Sequence, residues 1–380
     1  MTGPNGTIRV LLVDDSPLVL ELITRILEAD PDIRVVGTAT DGSAGLKAVA
    51  ELDPDVVCAD LHMPVMNGLE FTRRVMRTHA VPVLVVSVSV HPDETENIFE
   101  AVSAGAVDVF PKPTGGFRVD SPEADELRRR VRVVSGVRVF KRHTTYSADK
   151  DLNTPRDAVA PPQSTVTPLG IEPFRVIGIG ASTGGPRGFA SILGCLPDDF
   201  PVPILGVQHI SNGFTDSFVR WLRDVTPLAV EYAVSGEKPQ PGHVYFAPED
   251  QHLLMDAGGR LRCALEANSA LVDSTGTVEH RPSVDVLFSS LARYGRSAAV
   301  GVLLSGMGVD GAQGLAEIQS AGGLTVAQDE ATSVVFGMPG EAIRLGVAQH
   351  ILPIESIGPF LSRIGSKQID LQERRANRWI

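Results

Sequence analysis

Residues able to do chemistry fall into two groups along the chain. The first is acidic: Asp14 and Asp15 in LLVDDSP and Asp60 in DVVCADLHMP, followed by Ser87 after VPVLVV and Lys112 in VFPKP. Three carboxylates brought together repel one another unless a hard cation neutralises them, and oxygen ligands with room for water suit Mg²⁺. A carboxylate beside such a cation is placed to attack a phosphoryl group, while a lysine and a hydroxyl hold the new phosphate oxygens. The chemistry indicated is phosphoryl acceptance by an aspartate. Taken singly, these residues have plainer readings. Asp15 or Ser16 would cap a helix that has Pro17 in its first turn, and Lys112 between two prolines would be a solvated loop lysine.

The second group centres on GASTG, residues 180–184, which fits the G-x-S-x-G turn that projects a serine hydroxyl from a sheet edge towards backbone N–H donors. A dinucleotide fingerprint starting at Gly178 fails because its sixth position is Thr183. The remaining alternative is a glycine-rich corner with Ser182 as a helix N-cap. A serine hydroxyl needs a base within about 3 Å and a group to orient that base. His209 directly follows the strand-like run VPILGVQ. His243 precedes its strand, His252 falls in a polar loop segment, and the setting of His280 and His350 stays open. LLSGMGVDGAQGL reads as strand, turn and helix, and brings Asp310 to the same edge either as the orienting acid or as the cap of the following helix. The order Ser, His, Asp differs from the Ser, Asp, His order of the α/β-hydrolases.

The elements that must position these groups are short β-branched runs alternating with amphipathic segments. IRVLLV, IRVVGTA, DVVCA, VPVLVVS and AVDVF are the runs of the first half. Between the first two, Leu18, Leu22, Ile23, Ile26 and Leu27 recur at helical spacing. Such alternation implies a parallel, doubly wound sheet, whose ligand site lies beyond the carboxyl ends of the strands. FRVIGIGAS, VPILGVQHI, GHVYFAP, SAAVGVLLSGMG and GLTVAQD repeat the pattern in the second half. Between the halves, a stretch with five prolines from His143 to Pro173 has the composition of a linker.

At 380 residues with 43% hydrophobic and 21% charged residues, the chain has material for two cores. A net charge of −12 argues against nucleic acid as a partner. The basic run from Arg128 to His143 is read as the last helix of the first half with a solvated basic face, leading into the linker. Three cysteines without C-x-x-C spacing and no apolar run long enough to span a bilayer lead to the expectation of a cytoplasmic protein.

LLVDDSP, DVVCADLHMPVMNGLE, VLVVSVS and GAVDVFPKP resemble the receiver domain of two-component response regulators. The resemblance implies that Asp60 is phosphorylated, that Asp14, Asp15, Asp60 and the carbonyl of His62 hold Mg²⁺, and that Ser87 and Lys112 read the phosphate. Val109, followed by Phe110, stands where many receivers carry Tyr or Phe. IGASTGGP, VQHI, HRPSVDVLF, LLSGMGVDGAQGL and AQDEATSVVFGMP are similar to the catalytic domain of chemotaxis protein-glutamate methylesterases. That likeness implies hydrolysis of glutamate γ-methyl esters on methyl-accepting chemoreceptors, with methanol released and no cofactor in the ester step. Many members also deamidate glutamines.

Carried over, Ser182 is the nucleophile, His209 the base and then acid, Asp310 its orienting residue, and the Met307 N–H the oxyanion donor. Thr183 and Arg281 lie near the site. The implied fold is α/β: a flavodoxin-like receiver over 7–140, a flexible linker over 141–172, a Rossmann-like esterase domain over 173–365 and a tail over 366–380. Further implications are a chemotaxis histidine kinase as phosphodonor, inhibition by the unphosphorylated receiver, a monomeric state and no membrane insertion. Two rivals are a transcription regulator, which would need a basic helix-turn-helix after the linker, and a phosphorylation-controlled binding module without catalysis.

Overall fold

The structure is a computed structural model and describes residues 6–88, 98–112, 118–139, 174–265 and 280–376. The linker expected over 141–172 therefore lies outside the described residues. In the first unit the runs become β1 (Ile8–Val13), β2 (Ile33–Ala39), β3 (Val56–Ala59), β4 (Val83–Ser87) and β5 (Asp108–Pro111). They alternate with α1 (Pro17–Glu28), α2 (Gly42–Leu52), α3 (Gly68–Thr78), α4 (Ile98–Ala104) and α5 (Pro122–Ser135). The sheet is parallel throughout, in the order β2-β1-β3-β4-β5. Helices cover both faces, so β3 and β4 are buried along their whole length and read as unbroken apolar runs.

Local chemistry decides where α1 begins. Ser16, not Asp15, is its N-cap, with Oγ accepting from Val19 N, and Pro17 takes the first turn. The buried face is Leu20, Ile23, Ile26 and Leu27. Leu18, expected on that face, is 75% exposed. At 100° per residue from this start, it points away from the line through Leu20, Ile23 and Leu27.

The second unit contains β6 (Val176–Ala181), α6 (Gly185–Leu193), β7 (Ile204–Gln208), α7 (Thr215–Val225), β8 (Ala229–Tyr232) and β9 (His243–Phe246). A hairpin of β10 (His252–Met255) and β11 (Leu261–Ala264) follows, then α8 (Val284–Gly295), β12 (Ala299–Leu303) and α9 (Ala312–Ser320). The last elements are β13 (Leu324–Gln328), α10 (Met338–Arg344), β14 (His350–Leu352) and α11 (Ile354–Ala376). Seven parallel strands run in the order β14-β13-β12-β6-β7-β9-β8. Strand order reverses between β6 and β12, the point at which an open parallel sheet leaves a crevice beyond its strand ends.

Three readings of the sequence are corrected. His252 opens β10 and is buried, accepting through Nδ1 from Ser283 N, so it does not sit in a polar loop. His243 is the first residue of β9 and pairs with Glu231. The basic run, as far as it is described, does form α5, but its face is not simply solvated. Arg128 donates to the carbonyls of Ile26 and Val119 at 2.9 and 3.0 Å, and Arg130 is held between Asp108 and Glu126.

The two units pack together. Phe99 of α4 lies against Phe218 and Trp221 of α7, with ring centroids 5.6 and 5.5 Å apart, and Phe218 continues onto Phe189 and Phe246. Aromatic pairs at these separations add to the burial of their apolar area. No described helix is long and apolar enough to cross a membrane.

Candidate active site

Ser182 follows β6 at the switch point. Gly184 is the N-cap of α6, at φ +80° and with no side-chain cap, so the N-cap reading of Ser182 is excluded. The left-handed backbone at Gly184 turns the chain sharply, and a side chain there would also collide with Val334. Ser182 N donates to Ser305 O at 3.0 Å, and Gly185 N donates to Ser182 O at 2.8 Å, tying the turn to the loop after β12. Ser182 and Thr183 are buried and line a cavity of about 210 Å³ together with His209, His280, Arg281 and Met307.

His209 leaves the end of β7 with its N–H bonded to Ala181 O at 2.9 Å. Its Nε2 lies 2.8 Å from Asp310 Oδ2. Asp310 does not cap α9, whose N-cap is Gly311. It instead sits at the N-terminus of α8, where Oδ2 accepts from Val284 N at 2.8 Å and Oδ1 accepts from Asp285 N at 3.0 Å and Ser283 Oγ at 2.9 Å. Burial would push this carboxyl up, but the His209 hydrogen bond, the charge of His209 and the helix N–H donors outweigh it and hold the carboxyl below its ordinary range. When His209 is neutral, donation of its Nε2 proton to the ionised Asp310 leaves Nδ1 as the acceptor. Asp285, in the first turn of α8, is driven the other way, by burial first and then by the charge of Asp310.

His280 was not singled out by the sequence, yet its ring lies 4.5 Å from that of His209, centroid to centroid. Nothing in local periodicity marks it, because the contact joins segments from different strand ends. Met307 reaches the cavity from a loop fixed at Ser305, whose N–H donates to Gln328 Oε1 and whose Oγ donates to Thr183 O, both at 2.8 Å. Arg281 lies on the rim, 3.5 Å from Asp250.

The acidic group assembles at the switch point of the first sheet. Ligand oxygens of Asp14, Asp15 and Asp60 lie within 4.8 Å of one another. Lys112 Nζ bridges Asp14 Oδ2 and Asp60 Oδ2 at 2.8 and 2.9 Å, and Lys112 N donates to Ser87 O at 2.7 Å. Burial raises the Asp60 carboxyl despite the lysine beside it. Burial pulls the ammonium of Lys112 down, but the two carboxylates outweigh it and the net shift is upward. Ser87 is buried at this end of the sheet, Val109 and Phe110 are buried within β5, and His62 is exposed.

The first residue of α3, Gly68, tolerates no side chain. A Cβ there would overlap Asp60 O and lie 2.8 Å from Leu61 Cα, backbone atoms that cannot swing aside. Gly68→Ala is therefore expected to destabilise the first unit by about 1–3 kcal/mol. Differential scanning calorimetry checks this, and an unchanged unfolding transition would count against the packing described.

The cavity has a second wall. Glu126, Arg129 and Arg130 of α5 line it opposite Ser182 and His209. Asp108 of β5 joins the units directly: its Oδ2 accepts from Thr183 Oγ1 at 3.0 Å and from Arg130, while its Oδ1 accepts from Val109 N at 2.9 Å. The first unit thus rests on the residue that follows Ser182.

Residues 177–361 match the CheB methylesterase family, and residues 10–119 match the response regulator receiver domain. A protein-glutamate methylesterase/protein-glutamine glutaminase of Nitrosospira multiformis is 41% identical over 366 residues, covering 94% of this chain and 97% of that protein. One from Syntrophus aciditrophicus is 41% identical over 361 residues, covering 94% and 98%. The crystal structure of the Thermotoga maritima CheB methylesterase catalytic domain is 38% identical, covers 51% of this chain and 100% of that one, and has a TM-score of 0.46. Identity sustained over nearly the full length of both relatives shows that the chain belongs to the CheB family of protein-glutamate methylesterases/protein-glutamine glutaminases, with a receiver domain ahead of the methylesterase domain.

Proposed function

We propose that this chain hydrolyses glutamate γ-methyl esters on methyl-accepting chemoreceptors, and deamidates their glutamines, through Ser182, His209 and Asp310. The observation that carries the reading is the 2.8 Å bond from Asp310 Oδ2 to Nε2 of His209, a histidine that lines the same cavity as Ser182. His209 Nδ1 takes the Ser182 proton as Oγ attacks the γ-carbonyl carbon. The carbonyl oxygen becomes an oxyanion facing the Met307 N–H. Collapse breaks the C–O bond, His209 returns the proton, and methanol leaves; from glutamine the leaving group is ammonia. Water then attacks the acyl-enzyme with His209 again as base, freeing the glutamate and Ser182.

Control runs through Asp60. Its carboxylate and those of Asp14 and Asp15 are an all-oxygen donor set that fits Mg²⁺, and the carbonyl of His62 would complete it. When bound, the cation supplies neutralising charge for phosphoryl transfer from a chemotaxis histidine kinase. Phosphorylation of Asp60 gives Lys112 and Ser87 new acceptor oxygens. Lys112 lies just beyond β5, which carries Asp108 at its other end, so a rearrangement at the phosphate reaches the contact with Thr183 along a single strand. The unphosphorylated receiver inhibits by covering the cavity, and phosphorylation releases it.

The test is methanol release from methylated receptor membranes, with and without a small acyl phosphate as phosphodonor. Asp60→Ala is expected to keep the basal rate and to lose all stimulation. Equal stimulation of Asp60→Ala and wild type would refute the switch. No methanol above background from the stimulated wild type would refute the esterase reading.

A further inference from the structure

Regular pairing of β6 with β7 ends at Ala181 opposite Gln208, followed only by the bond from His209 N to Ala181 O. The two chains diverge there, Ser182 towards α6 and His209 into a loop, although the chemistry needs their side chains within hydrogen-bond reach of each other. One side chain bridges the divergence. Gln208, the last residue of β7 and buried, donates through Nε2 to Ser182 O and to His209 O, both at 2.8 Å. Its orientation is chemically determined: turned over, the amide would set Oε1 against two carbonyl oxygens. Space for the group comes from Gly185, where a Cβ would overlap Gln208 Oε1. Gly185 N also donates to Ser182 O at 2.8 Å, so this carbonyl is held from two directions.

We propose that Gln208 is a positioning residue for the hydrolytic reaction, fixing the separation of Ser182 and His209 by clamping their main-chain carbonyls with a single amide. The proposal rests on the reading of Ser182 as nucleophile and His209 as base. A neutral amide suits the task because it donates twice without placing a charge beside the reacting groups. A displacement of about 1 Å between nucleophile and base costs on the order of 10²-fold in rate, whereas substrate contacts made elsewhere in the cavity are unaffected. The clamp therefore acts on kcat more than on KM.

The test uses the full chain, stimulated by an acyl phosphate so that receiver docking does not limit the rate, with methanol release from methylated receptor membranes measured across pH. Gln208→Leu removes both donors at similar volume and is expected to lower kcat by about 10²-fold, with KM within about threefold of wild type. Gln208→Glu keeps the shape. Its buried carboxyl faces two carbonyl oxygens, so the protonated form is favoured and donates one hydrogen bond, and that bond is lost on ionisation. The ratio of Gln208→Glu to wild-type kcat is expected to fall as pH rises. If Gln208→Leu does not fold, that ratio decides alone.

A pH-independent Gln208→Glu ratio, or a folded Gln208→Leu variant with kcat within threefold of wild type, would overturn the clamp. Undiminished hydrolysis by Ser182→Ala would instead overturn the underlying site assignment, and the clamp with it. The two failures are distinguishable because only the second leaves Ser182→Ala active.

Discussion

Ser182→Ala is expected to lower kcat for methanol release by about 10⁶-fold, and Asp310→Asn by about 10⁴-fold. The first change deletes the nucleophile. The second acts through the imidazole. Asp310 Oδ2 accepts from His209 Nε2 and Val284 N, and Oδ1 from Ser283 Oγ and Asp285 N. An amide in place of the carboxylate must put its NH₂ on one side or the other. Facing His209, it would force the proton onto Nδ1, the atom that must accept from Ser182. Facing the other way, it meets the Asp285 N–H, a backbone donor that cannot turn aside, at a cost of about 1–3 kcal/mol in stability.

The variant is separable from a folding defect by acid titration. Because the Asp310 carboxyl lies below its ordinary value of 3.8 in the folded protein, the ionised form contributes stability that is complete above that value. This contribution is lost as pH falls through the lower folded value. The stability gap between wild type and Asp310→Asn should therefore narrow only below about pH 4, while the loss of kcat persists at neutral pH. Near-wild-type kcat in a folded Asp310→Asn protein would remove Asp310 from the mechanism.

What the sequence made legible follows from where each interaction is decided. Ser182, His209 and Asp310 were readable because each follows a buried parallel strand, and such strands deliver their next residues to one edge. The same logic brought Asp14, Asp15, Asp60 and Lys112 together. His280 was not readable, since its place beside His209 depends on how the segment before α8 crosses the ends of other strands. Gln208 looked like one more strand residue, because its role depends on two carbonyls, one of them just past the neighbouring strand. Asp310 was weighed as a cap of the helix that follows it, but it serves the N-terminus of α8, which precedes it in the chain. β8, β11 and β14 are only partly buried and so lack the unbroken apolar run by which the equally short β3 stood out, and β10 follows directly on the polar residues PEDQ. Arg130 read as solvated because its partners, Asp108 and Glu126, and the second wall of the cavity are tertiary facts.

That second wall yields the other large expected effect. Asp108→Ala should raise methanol release in the absence of phosphodonor by about tenfold or more and shrink the stimulation by phosphodonor in proportion. In the docked arrangement Asp108 neutralises Arg130 and accepts from Thr183. Without it, Arg130, whose side chain is 12% exposed, keeps only Glu126 at 2.7 Å, and the buried Thr183 hydroxyl loses its acceptor. Undocking would return both groups to water, so the penalty falls on the docked state. With Glu126 still in place, roughly 1.5–3 kcal/mol is a reasonable size for one lost charge-assisted hydrogen bond, and about 1.4 kcal/mol is tenfold in the docking equilibrium.

The apolar contact of Phe99 with Phe218 and Trp221 is untouched, so the variant should loosen docking without abolishing it. Asp108→Asn keeps an acceptor for Thr183 but not the charge for Arg130, and should fall between wild type and alanine. Asp60 should still accept phosphate in both variants, which separates a released interface from a collapsed receiver. Arg118→Ala, which breaks an exposed pair with Asp120 away from the cavity, should leave the basal rate unchanged. A basal rate equal to wild type in an Asp108→Ala protein that still phosphorylates would show that the contact between Asp108 and Thr183 does not hold the receiver over Ser182.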